Sequence, residues 1–267
     1  RWTRGSSWDG GVRSGYPSAT ALNPRAAPAD EEVMDADRLV LLQGLRDTRS
    51  ALDRWRAHPG RVLGPWFAGA LAIAVALLAA VFAISRLVTP DVSTTLLPGL
   101  NSPADASAIG RILLRNSLVL ALHGFACVAG FIAGASLPLQ AEHKQGFDRL
   151  LHEKAGPAAI AFVGAATLFS LGTQAWVLGR TASDLALQLD VSTGTLMLTL
   201  LPHALPELVA LFLPLAAWLV ASRRGEWEDL LAATFVTVAI AVPVLIATAI
   251  VEVTVWPDLL RHVSPWY

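Results

Sequence analysis

Five runs of about twenty or more mostly apolar residues constrain this chain more than anything else in it. They lie at about 65–87, 115–138, 155–178, 195–221 and 230–256. A helix needs about 20 such residues to cross about 30 Å of hydrocarbon, so each run is long enough to span a bilayer. The hydrophobic share is 54% and the charged share only 15%, where a soluble domain carries about 25% charged residues. The expected fold class is therefore all-α: a polytopic membrane protein with a bundle of five transmembrane helices, preceded by a cytoplasmic amphipathic helix.

Residues 1–33 are rich in Gly, Ser, Pro, Ala and Asp and read as a disordered tail, because they carry too little apolar surface to order themselves. No continuous apolar core follows their arginines, so they do not read as a signal peptide. Helix-like character begins abruptly at Met34, which suggests that 1–33 are an upstream extension or part of a fragment. Residues 34–60 read as an amphipathic helix for the membrane surface, with Leu41, Leu45, Leu52 and Trp55 on one side and Arg38, Arg46, Arg49, Arg54 and Arg56 on the other. The spanning domain then occupies 61–267.

Basic residues precede the first span, recur as Lys144, Arg149 and Lys154 after the second, and as Arg223 and Arg224 after the fourth. The positive-inside rule makes those segments cytoplasmic. The connection at 88–111, the acidic connection at 179–194 and the tail from Trp256 to Tyr267 then lie outside, with the tail's Trp and Tyr in the interfacial belt.

Small and polar residues mark helix faces meant for other helices. Ala68, Ala72, Ala76 and Ala80 form a ridge on the first span; Asn116, His123, Cys127, Gly130 and Gly134 fall near one stripe of the second; Thr167, Ser170, Thr173 and Gln174 are expected to share a face of the third. The fourth span contains Pro202, His203, Pro206 and Glu207. His203 and Glu207 are four residues apart, close enough to touch on one helix face. The two prolines remove donors in successive turns, so a kink or break is expected. Glu252 in the fifth span is the next acid. Ionisable groups at this depth cost roughly 2.5–3.5 kcal/mol each on insertion scales and are functional candidates by default. Three roles fit them: polar glue between helices, a proton relay, or the acid and base of an intramembrane hydrolase.

Pro202, His203 and Glu207, followed by Ile246 to Glu252 ending at Pro257, with Asn116, Phe125, Gly130 and Gly134 upstream, resemble the stage II sporulation protein M family over roughly 60–260. The resemblance implies a five-span, non-enzymatic scaffold or complex subunit in the bacterial cytoplasmic membrane. In spore formers the family acts with a peptidoglycan-degrading partner and a second membrane-anchored protein, while relatives occur in bacteria that never sporulate. The implied partners are the lipid bilayer and other membrane or envelope proteins, and a homo-oligomer is compatible with the small-residue faces. The alternative is a permease or transporter subunit in which His203 and Glu207 relay protons. No cofactor, metal or nucleic acid is expected. The chain shows no nucleophile elbow or phosphate loop, and one cysteine, Cys127, allows no intrachain disulfide.

Overall fold

The computed structural model describes residues 44–91, 95–136 and 147–266, with the side chains of 135, 136, 147–157 and 159 excepted. All of these belong to one compact unit, Val40–Tyr267. The tail at 1–33, the first part of the 34–60 helix and the basic loop around Lys144 lie outside the described residues.

Apart from 88–91, 95–105 and short links between helices, the described residues are helical, and the protein is a multi-pass membrane protein: five of its helices are long and apolar enough to cross a bilayer. We number the helices α1 (44–57), α2 (Pro59–Leu87), α3 (Ala106–Phe131), α4 (Phe147–Gln188), α5 (Thr193–Arg224), α6 (Leu230–Thr254) and α7 (Trp256–Val263). A π-turn, Ile132–Ser136, extends α3, and a 3-10 turn, Trp227–Asp229, leads into α6.

Local chemistry sets the helix ends. Pro59 occupies the first turn of α2, where the missing donor costs nothing. Asp105 caps α3 by accepting from Ala108 N at 2.9 Å and from the Ser107 hydroxyl at 2.7 Å. Ser192 caps α5 by accepting from Thr195 N at 3.0 Å, and Gly225 closes that helix in the left-handed region at φ 71°. Asp190 turns the chain between α4 and α5 with φ 53°, a conformation that a short polar side chain tolerates.

Helix α5 is the centre of the bundle. In its most apolar window 61% of the residues are buried, against 22% for α2 and 6% for the spanning part of α4. Helices α2, α3 and α6 pack on it, while α4 leans mainly on α2. Pro202, Pro206 and Pro214 all lie inside α5, yet it runs as one 32-residue helix. Of the expected kink or break, a break is absent. Pro214 is buried among the neighbouring helices, one way in which prolines are tolerated at membrane depth, whereas Pro202 and Pro206 are exposed.

Three expected faces are displaced. On α2 the seam against the bundle is Trp66, Ala70, Ala74, Leu77, Val81 and Ser85, whereas Ala68, Ala72 and Ala76 are exposed and Ala80 is half-buried. Both sets have helical spacing; the bulky Trp66 and Leu77 select the buried one, because their large apolar surface gains most from packing. On α4, Thr167 is buried and Gln174 Nε2 donates to Ser170 Oγ at 3.1 Å, but Thr173 is exposed and bonds back to Phe169 O. On α1, Gly44 and Ala51 are buried and the expected Leu52 and Trp55 are half-buried, but Leu45 is exposed. Trp55 meets Trp66 edge-on at 5.2 Å, and Arg54 pairs with Asp229 at 2.5 Å, so α1 docks on the bundle end.

The Gly130 and Gly134 pair admits tryptophans. A β-carbon at Gly130 would lie 2.7 Å from Trp218 Nε1 and 2.8 Å from Leu230 Cδ1, and one at Gly134 would collide with the Trp227 ring. Gly179 of α4 is also filled: a β-carbon there would lie 2.7 Å from Ile84 of α2.

The other end is built from polar bonds. The connection expected at 179–194 is mostly helix, because α4 continues to Gln188 and buries Ala182, Ser183, Leu185 and Ala186. Its last turns hold parts of the connection at 88–91 and 95–105. Asp184 Oδ1 accepts from Asp91 N at 2.7 Å, Gln188 brackets Thr95 by accepting from its N–H at 2.8 Å and donating to its carbonyl at 3.1 Å, and Ser183 Oγ donates to Val88 O at 3.3 Å. Helix α7 closes the cap: Arg261 donates to Gly99 O, and Ser264 Oγ donates to Leu189 O at 2.7 Å. Gly99 has φ 82°, and a β-carbon there would lie 2.7 Å from Val253 O, so both strain and space require glycine.

Replacing Gly130 or Gly179 by Ala is expected to cost about 1–3 kcal/mol through overpacking, while Gly172→Ala, with nothing within 4 Å, leaves stability unchanged or raised. Thermal unfolding in detergent reads the difference. At Asp105, the Ser107 hydroxyl and then the Ala108 N–H hold the carboxyl below its ordinary range. The cap therefore contributes fully above the unfolded carboxylate range and is lost as pH falls through the lowered folded value. Asp105→Ala should be destabilised at pH 7, with its gap to the parent closing in acid.

Candidate functional site

The polar residues expected at membrane depth sort into three groups, all built around α5. The first joins α3 to α5. His123, 0% exposed, sits at 2.9 Å from Leu211 O through Nδ1, and Cys127 Sγ donates to Pro214 O at 3.1 Å. A carbonyl only accepts, so Nδ1 of His123 carries the proton. The two bonds bracket the turn that Pro214 interrupts. The His123 ring also meets Phe212 at 5.5 Å. Pro214 belongs to this site although attention to the Pro202 and Pro206 pair passes over it; its signal was a third proline in the same apolar run.

The second group joins α5 to α7. His203 is 4% exposed, and its ring lies tilted against Trp256 with centroids 5.3 Å apart. Trp256 is itself 5% exposed and donates from Nε1 to Thr199 Oγ1 at 3.3 Å, while Thr199 donates to Leu196 O. Trp256 is thus a buried packing residue and not part of an interfacial belt. Pro257, next in sequence, turns the chain from α6 so that the indole reaches inward.

The third group surrounds Glu207. Glu207 is half-buried on α5, and the electrostatic influences on it come from Glu252 of α6 and Arg115 of α3, with Asn116 of α3 and Thr248 of α6 nearby; among the described residues no hydrogen bond or ion pair joins it to any of them. Among the described residues no hydrogen bond or ion pair joins His203 to Glu207, and the two belong to different groups. Four-residue spacing put them on the same side of α5, but Trp256 claims the imidazole. Pro202 and Pro206 are exposed on α5 and belong to none of the three groups. Arg115 and Thr248 were the residues the sequence pattern did not single out. Arg115 stands just inside the second apolar run, where it reads as a flanking charge.

Several buried polar atoms here have no hydrogen-bond partner: Asn116 Nδ2, Glu207 Oε2, His203 Nδ1 and His123 Nε2. Thr248 is otherwise engaged, donating to Leu245 O at 3.1 Å. Among the described residues no group of three or more His, Cys, Asp or Glu side chains is arranged to hold a metal ion.

No protein-family model matches the chain, and no curated protein or solved structure matches it either.

The α5–α7 contact is open to a double-mutant cycle. Trp256→Phe keeps a ring against His203 and loses the donor; Thr199→Val loses the acceptor. Each single change should cost about 1 kcal/mol in detergent unfolding, and the pair should show coupling of about 0.5–1.5 kcal/mol. Strict additivity would remove this bond from the account of how α7 is held.

Proposed function

We propose that this protein is a non-enzymatic scaffold or complex subunit of the bacterial cytoplasmic membrane, of the kind the stage II sporulation protein M family represents, organising partners in cell-envelope remodelling. In this reading the α1 end faces the cytoplasm and the capped end, with α7, faces outward. The supporting observation is that the buried polar side chains link helix to helix: His123 and Cys127 bond to carbonyls of α5, and Trp256 bonds to Thr199. Side chains used this way hold a platform in shape. Asp91, Thr95 and Gly99, held by Asp184, Gln188 and Arg261, give that platform an ordered outer surface. Helix α4, with Phe162, Leu168, Phe169 and Trp176 turned outward, leaves an apolar flank for lipid or a neighbouring membrane protein.

A second reading, a permease or transporter subunit, draws on a different observation, the two half-buried acids Glu207 and Glu252 carried on spanning helices. A relay there would run between the two acids. His203, the expected relay partner, packs its ring on Trp256 and makes no bond to Glu207 among the described residues.

Affinity purification of the tagged protein from native membranes tests the two. A scaffold brings a stoichiometric envelope partner with it, and Glu207→Gln weakens that assembly or the folding yield. The relay predicts normal assembly of Glu207→Gln with loss of pH-driven flux in vesicles. A Glu207→Gln protein that assembles and functions fully would sink both.

A further inference from the structure

A cavity of about 190 Å³ lies at the end of the bundle where α1 docks, between α1, α2, α5 and the start of α6. Its floor is apolar and buried: Trp66 of α2, Ala217 and Ala221 of α5, and Ala233 of α6. Its mouth is charged, with Arg54 of α1, Arg224 at the end of α5, and Glu226 and Asp229 in the link to α6. Asp229 is half-buried and the other three are exposed. Helix α1 straps the cavity on both sides. Trp55 meets Trp66 edge-on at 5.2 Å toward α2, and Arg54 Nη2 donates to Asp229 Oδ1 at 2.5 Å toward α6.

The helix ends fix the level of this cavity in the membrane. Pro59 begins α2, Arg224 ends α5 and Leu230 begins α6, so three spanning helices leave the apolar layer here. The mouth therefore stands among lipid headgroups. The floor reaches Trp66, about 10 Å along α2 by helical rise, beside the first acyl carbons.

The charges at the mouth are balanced but not all bonded. Arg54 is held by Asp229 and also donates from Nη1 to Ser50 Oγ at 3.2 Å. Arg224 Nη1 stands 3.9 Å from Glu226 Oε2, which is beyond hydrogen-bond reach. Both of those side chains are 49% exposed, and among the described residues neither makes a hydrogen bond. A guanidinium fork and a carboxylate thus stand side by side with donors and acceptors free. Their complement is a zwitterion: an anionic group with oxygens for Arg224 and a cationic group with N–H donors for Glu226.

We propose that this cavity binds one zwitterionic phospholipid carrying a primary amine, with its phosphate on Arg224, its ammonium on Glu226 and the start of its acyl chains over Trp66 and Ala233. The mouth holds two guanidiniums and two carboxylates, so it gives a purely anionic headgroup no net attraction. A quaternary amine has no N–H for Glu226. The two indoles lie edge to face, which closes one of the aromatic faces that such a cation would use. The four floor side chains are alkyl or aromatic, which suits an acyl chain and gives a soluble phosphoamine little to bind. This inference goes beyond the scaffold reading and does not depend on it, because a lipid seated among four helices serves a platform as well as a permease.

The test is native mass spectrometry of the full chain, delipidated in detergent and offered equimolar phosphatidylethanolamine, phosphatidylglycerol and phosphatidylcholine with identical acyl chains. One phosphatidylethanolamine should be retained several-fold over the other two. Arg224→Ala and Glu226→Gln, both at exposed positions, should each weaken that retention about fivefold, as expected for one ion pair at the membrane surface. Arg223→Ala, adjacent in sequence but outside the cavity, should retain the lipid as the parent does. Glycerophosphoethanolamine, the same headgroup without acyl chains, should not displace the lipid at equal concentration, which separates a lipid from a soluble source of the same chemistry. Equal retention of the three lipids, undiminished retention in both cavity variants, or displacement by the soluble headgroup would each overturn the proposal. The ranking of the lipids by the parent protein needs no variant, so it decides the matter even where a variant fails to fold. Recovery of a partner on purification is a separate readout, so loss of the scaffold reading and loss of this site are told apart.

Discussion

Everything in this fold follows from the demand that a helix carrying three prolines remain a helix where water cannot repair it. Pro202, Pro206 and Pro214 each remove a backbone donor from α5. At a lipid-facing position that loss would leave carbonyls bare, at several kcal/mol apiece. The chain meets this at Pro214 by putting that part of α5 in the middle, and leaves Pro202 and Pro206 on an exposed face. Helices α2, α3 and α6 surround α5, and two side chains of α3, His123 and Cys127, donate directly to its carbonyls around the last proline. Interhelical polar contacts in membranes average only about 0.6 kcal/mol, so their value lies as much in fixing register as in stability.

The same demand explains why small and large residues alternate at the helix contacts. Apolar burial offers little drive between helices in lipid, and close packing must supply it. Gly69 approaches Ala216, Gly179 receives Ile84, and Gly130 and Gly134 receive Trp218, Leu230 and Trp227. The tryptophans thus act as wedges between α3, α5 and the start of α6. At the capped end the logic is different. There water competes, and parts of the connection at 88–91 and 95–105 are held by directed bonds from Asp184, Gln188, Arg261 and Asn101.

Much of this was legible in the residues. Run length and composition specify five spans, and the stripe through Asn116, His123, Cys127 and Gly130 coincides with the buried face of α3. What periodicity could not supply is which of two equivalent stripes turns inward. Ala68, Ala72 and Ala76 repeat as regularly as Ala70 and Ala74, and only Trp66 and Leu77, as large knobs on the same side, distinguish them. The pairing of His203 with Glu207 was a local inference overruled by a partner 53 residues on, Trp256. Arg115 and Thr248 were illegible for the same reason: their meaning comes from Glu207 on another helix.

The central claim, that α5 is the hub and that α2 meets it through the Trp66 to Ser85 seam, is most directly tested by disulfide formation. A β-carbon at Gly69 would lie 3.2 Å from Ala216 Cβ, close to the 3.5–4.5 Å typical of bridged pairs. In a Cys127→Ala background, Gly69→Cys with Ala216→Cys should cross-link rapidly in membranes under mild oxidant, and Ala72→Cys with Ala216→Cys should not. Cross-linking through Ala72 with none through Gly69 would contradict the register of α2 and the placement of α5 at the centre.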